Sequence, residues 1–190
     1  MTNIDTKTAL LECAQNLIQN VGVNAMSYND LSQAVGIRKA SVHYHFPKKD
    51  DLIKALIDRC QEVFGEKYLA IVESENTAKR KLLMLAAIYE DGVKNGRLCP
   101  IGMLSAEFRS LSQSTQDTLN LKIKHTSEIF EKVFIQGQEE NIFPPKQNTY
   151  DLAYGFFSFL LGAQSLSRCA DSPDLFRKAV GGYIDSLAAE

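Results

Sequence analysis

Residues 27–49 read SYNDLSQAVGIRKASVHYHFPKK, and this stretch decides the fold. Two short helical patterns meet at Gly36, where glycine tolerates the positive φ that a tight turn needs. Ser27 and Asp30 have the spacing of a capping box, which starts the first helix; that helix runs to about residue 34. Leu31, Ala34 and Val35 share a face that can pack inward, and Ile37 follows the turn as an apolar plug. In the second helix Ala40 is small enough for close packing, and Val42 and Phe46 read as core. Arg38, Lys39, Ser41, His43, Tyr44 and His45 then face outward, closed by Pro47-Lys48-Lys49. This is the layout of a helix-turn-helix head whose second helix carries donors suited to base edges and phosphate oxygens.

Composition places the head in an all-α chain. There are 190 residues, 45% of them hydrophobic, with a net charge of −2 and an isoelectric point near 6.0. The protein is therefore not globally basic. The positive charge is local: from Arg38 to Lys49 there are four Lys or Arg, two His and no acid. Local charge supplies the phosphate term in DNA binding. No run is long and apolar enough to span a bilayer, and the polar N-terminus has no signal-peptide core. Cys13, Cys60, Cys99 and Cys169 are widely spaced, with no CxxC and no zinc-like grouping. They read as thiols in a reducing cytoplasm.

Apolar periodicity predicts helices almost throughout. Ala9, Leu10, Cys13, Ala14, Leu17, Ile18 and Val21 define a first helix that stops at Gly22. A fourth helix is predicted over 48–72, with Leu52, Ala55, Leu56, Arg59 and Val63 in its pattern. Others follow over 77–94, 100–111, 113–138, 148–169 and 173–187. The expected organisation is a helix-turn-helix domain at 1–47 and a helical body at 48–190.

The run AVGIRKASVHYHFPKKDDL resembles the signature of the TetR/AcrR family of transcriptional repressors. The close match covers about residues 5–55, under a third of the chain; elsewhere only length and helical texture match. Many members carry Ser at the positions of Arg38 and Lys48. Arg38 gives up a helix cap and adds a long cationic donor, a departure that bears on the operator sequence. The resemblance implies double-stranded operator DNA as partner. Ser27 and Lys49 are then expected on phosphates, Arg38, Lys39 and Ser41 nearest base edges, and His43, Tyr44 and His45 along the same helix with the last two on the backbone flank. It also implies a homodimer through the last two helices. Their sequence agrees: apolar residues cover more than one face of 148–169, Gly155, Gly162 and Ala163 permit close approach, and Phe176, Val180, Tyr183, Ile184 and Leu187 form a stripe.

The family further implies an effector pocket in the body, for an unknown small molecule. Tyr89, Met103, Phe108, Phe130, Phe134, Tyr154 and Phe157 are the candidate lining, with Tyr89 or Glu107 as polar anchor. Residue by residue, each of these also reads as ordinary core. Cys99 precedes Pro100, a residue favoured at the first helical position. A helix start favours thiolate, and some family members that respond to electrophiles resemble this chain there. Packing of a small buried thiol against Leu98 and Met103 is the other reading. No catalytic, metal or cofactor motif is present: G-x-S-x-G, P-loop, dinucleotide fingerprint and H-E-x-x-H are all missing. His43 and His45 diverge around a helix and share no metal. The alternatives to a regulator are a helical enzyme with Cys99 as nucleophile and a helical interaction module that binds no DNA.

Overall fold

A computed structural model describes residues 5–187, so the start of the polar N-terminus (residues 1–4) lies outside the described residues. Among these the chain is all helical, as expected, with no strand. In order the helices are α1 (Thr6–Val21), α2 (Tyr28–Val35), α3 (Lys39–His45), α4 (Lys49–Cys60), α5 (Glu66–Val72), α6 (Ala78–Lys94), α7 (Pro100–Ala106), α8 (Gln113–Glu139), α9 (Thr149–Cys169) and α10 (Pro173–Ser186). One π-helical turn, Gln61–Gly65, joins α4 to α5. The single helix expected over 48–72 is thus helical but interrupted. Each i→i+5 ring takes up one more residue than an α-turn, which shifts the phase of the pattern. Val63, expected on the inner stripe, is 37% exposed.

The helices form two compact units. The first contains the chain up to Glu62 together with Pro100–Lys122. Within it α1 packs on α2, α4 and α7, and α2 packs on α3. Leu10, Ala14 and Ile18 of α1, Leu31 of α2, Val42 of α3 and Leu52 and Leu56 of α4 are completely buried. Ala34 and Ala40, expected inward, are exposed. The short α2 and α3 bury only a narrow stripe, and Leu31 and Val42 fill it.

The second unit contains Val63–Cys99 and the chain from Ile123 onward. There α6, α9 and α10 pack on one another, and α5 packs on α6. Phe130, Phe134, Phe156, Leu160 and Phe176 lie at its centre. A division at residue 47 was expected from sequence order. The compact units are cut elsewhere because α7, distant in sequence, packs on α1.

Candidate nucleic-acid interface

The head is rigidly specified by its own residues. Ser27 caps α2: its Oγ accepts the Asp30 N–H, while the Asp30 carboxylate accepts the Ser27 N–H at 2.8 Å and the Ser27 hydroxyl at 2.7 Å. These bonds to Ser27 hold the Asp30 carboxyl below the usual carboxylate range. Gly36 ends α2 in the left-handed region, at φ 74° and ψ 31°. The Tyr28 hydroxyl donates to the Phe46 carbonyl at 2.8 Å, tying the start of α2 to the end of α3. His43 packs edge-on against the Tyr28 ring, with centroids 4.8 Å apart.

This frame leaves one polar strip in solvent. Arg38, Lys39, His43 and Lys48 are exposed, Tyr44 is 83% exposed, and Ser41 and His45 are half-buried beside them. The structure therefore brings Arg38, Lys39, Ser41, His43, Tyr44 and His45 onto one short helix and its lead-in. Arg38 stands at the N-cap of α3 and makes no side-chain cap bond. Lys48 heads α4, where the Asp51 carboxylate accepts its backbone N–H at 3.0 Å. Sequence reading placed Lys48 in the cluster but passed over it as a site residue.

Two expected phosphate ligands are placed otherwise. The Lys49 ammonium donates to the carbonyls of Val23 at 2.6 Å and Met26 at 2.7 Å. Burial lowers its pKa, partly offset by Glu107 and Asp30. An ammonium so placed braces the α1–α2 loop and does not reach out from it. The Ser27 hydroxyl is likewise engaged with Asp30.

The expected sensing residues separate. Tyr89, Phe130, Phe134 and Phe157 are all buried in the second unit. Phe130 stands edge-on to Phe157 at 5.8 Å and to Tyr68 at 5.1 Å, and the Tyr68 and Tyr89 hydroxyls lie 3.0 Å apart. Burial raises the Tyr89 pKa well above its ordinary value. Tyr154, expected among them, is 49% exposed and stacks on Tyr150. Its place on α9 faces away from the ring cluster. Met103, Glu107 and Phe108 belong to the first unit. There the Glu107 carboxylate accepts the Asn24 N–H at 2.8 Å. Cys99 is half-buried, as the last residue before α7.

Sequence reasoning missed Gln164. It is 3% exposed; its Nε2 donates to the Tyr89 carbonyl at 2.9 Å and its Oε1 accepts the Cys99 N–H at 2.6 Å. A lone Gln in an apolar helix is the signal, because a buried amide requires partners. Among the described residues no group of His, Cys, Asp or Glu is arranged to hold a metal, and no helix is long and apolar enough to cross a membrane.

The first unit thus presents a capped helix-turn-helix with an exposed polar strip, the arrangement that helix-turn-helix heads use to read DNA. Residues 10–56 match the family of bacterial regulatory proteins, tetR family. Over 127 residues the chain is 31% identical to the HTH-type transcriptional repressor KstR2 of Rhodococcus jostii, covering 55% of this chain and 60% of that protein. The chain thus matches less than two thirds of that relative's length. It superposes on a TetR transcriptional regulator from Legionella pneumophila with a TM-score of 0.83, at 29% identity and over 100% of both chains. A TetR-family regulator from Agrobacterium tumefaciens shares the fold at a TM-score of 0.88 and 24% identity, over 97% of this chain and 98% of that one. The head thus matches the tetR-family model, and the chain is similar over its whole length to the Legionella regulator.

Proposed function

We propose that the protein is a repressor that binds a palindromic operator as a homodimer and releases it when the second unit takes up an effector. The observation that carries the DNA half is the polar strip of α3, held in solvent by the Tyr28–Phe46 bond and the Ser27–Asp30 box. Arg38 and Lys39 are the base-reading residues, Ser41 and His43 assist them, and Tyr44, His45 and Lys48 take the backbone flank. Lys49 acts indirectly, by shaping the loop before α2. A DNA target places this activity in the cytoplasm.

Dimerisation is supported by an open apolar groove of about 410 Å³ on α9 and α10, lined by Phe159, Gly162, Ala163, Leu166, Leu175 and Ala179. Leu166 is 74% and Leu175 51% exposed. A two-fold pair covering such a face would set two heads on two half-sites. For the effector, the buried cluster of Tyr68, Tyr89, Phe130 and Phe157 rings with Gln164 is the candidate receptor, an apolar set with a few fixed polar groups. A covalent trigger at Cys99 is the second reading, favoured by its half exposure and by the Gln164 bond at its backbone.

Selection of bound duplexes from a random pool tests the DNA claim. The wild type enriches a palindrome. Arg38→Ala relaxes preference at the bases it reads, by about 1–3 kcal/mol for a bidentate contact; unchanged enrichment for Arg38→Ala and Lys39→Ala contradicts the assignment. Treatment with a mild electrophile separates the two triggers. Loss of operator affinity in wild type but not in Cys99→Ser supports the covalent reading, and equal behaviour leaves the aromatic cluster.

A further inference from the structure

The loop from Gly22 to Met26, between α1 and α2, makes few backbone bonds of its own and is held by side chains from distant segments. Glu107, just after α7, accepts the Asn24 N–H at 2.8 Å. Lys49 of α4 donates to the carbonyls of Val23 and Met26. Gly22 has φ +89°, and a Cβ there would lie 2.2 Å from Glu107 Oε1, so the missing side chain is what admits the carboxylate. The neighbour of Lys49 makes a second tie: the Asp50 carboxylate accepts the Ser112 hydroxyl at 2.5 Å, and the Thr115 hydroxyl as well. Ser112 and Thr115 bracket the start of α8. The first turn of α4 therefore grips the α1–α2 loop with one residue and the start of α8 with the next.

We propose that Glu107 and Asp50 are positioning residues that fasten the α7–α8 corner to the DNA-reading head, so that a displacement of this corner moves the loop that sets α2. This rests on the reading of the head as a DNA-binding unit. The loop ends at Ser27, the cap of α2, so its shape fixes where the first turn of α2 and, through Tyr28, helix α3 stand. Neither carboxylate touches DNA in this scheme. Both act through a fixed backbone, which gives the corner a mechanical hold on operator affinity without a contact of its own.

The test uses the full-length protein, with amide exchange of the 22–27 segment and operator affinity measured across a salt series. Glu107→Ala is expected to speed exchange at Asn24 about tenfold and to weaken the selected operator about tenfold, the scale of one lost charge-assisted bond. The slope of affinity against salt stays at the wild-type value, because no phosphate contact is removed. Glu107→Gln keeps an acceptor oxygen at Asn24 and restores most of both properties, which separates positioning from misfolding. Asp50→Ala gives the same pattern with an unchanged slope. Wild-type exchange or undiminished operator binding in Glu107→Ala overturns the proposal, as does a salt slope that falls with affinity. A wild type that enriches no duplex overturns the reading of the head and this inference with it, a failure seen before any variant is made.

Discussion

The phenol of Tyr28 holds α2 and α3 in register, and its chemistry predicts a measurable pH dependence. Burial, with Asp51 adding to it, pushes its pKa from 10.0 up to about 12. The folded state favours the neutral form, so this stabilisation is complete below pH 10 and is lost as pH rises through about 12. Tyr28→Phe removes the bond to Phe46 at a cost of about 1 kcal/mol near neutral pH. In alkaline denaturation the gap between wild type and Tyr28→Phe should close across that window; a gap that stays constant contradicts the role given to the hydroxyl. Residues of this kind were unequally legible. Ser27, Asp30 and Gly36 announce themselves because cap and turn chemistry is local. Lys49 and Glu107 do not, because the backbone partners of Lys49 lie 26 and 23 residues away and that of Glu107 lies 83 residues away. An exposed-looking lysine and a pocket-like glutamate both bond the backbone of the α1–α2 loop.

At the scale of elements, α9 and α10 carry the assembly claim and sharpen its test. Phe157 of α9 and Ile184 of α10 are 3% and 2% exposed within a single chain. A charge at either leaves an unpaired ion in the core and unfolds the protein, and even Phe157→Ala costs about 3–5 kcal/mol. Leu166→Glu with Leu175→Glu alters only the open groove. Sedimentation at micromolar concentration should show a dimer for wild type and a folded monomer for this pair, with the thermal transition of the monomer falling accordingly. A wild type that sediments as a monomer removes the dimer from the account. Most helix spans were legible within a residue or two, since the 3.6-residue period is strong in long segments; the helix expected over 100–111 instead ends at Ala106, followed by a 3-10 turn at Phe108–Ser110. The π turn at Gln61–Gly65 was not, because it leaves composition unchanged and alters only the phase.

For the whole molecule, compactness does not follow sequence order. The segment from Pro100 to Lys122 belongs to the unit that contains the reading helix. A boundary drawn at residue 47 follows the motif, whereas compactness follows packing of α7 on α1. The aromatic set was legible as apolar but not as a cluster, since which rings meet depends on how α5, α6, α8 and α9 are brought together. The central claim is that the exposed strip of α3 and the start of α4 meets DNA. The salt dependence of binding to the selected operator tests it most directly. Lys48→Ala, on the backbone flank, should lower the slope of log affinity against log salt by roughly two units, about one per head in a two-headed complex, whereas Lys39→Ala should mainly relax base preference. Lys49→Ala should weaken binding through the loop while leaving that slope near the wild-type value. A slope unchanged in Lys48→Ala would contradict the account and move the DNA to another surface.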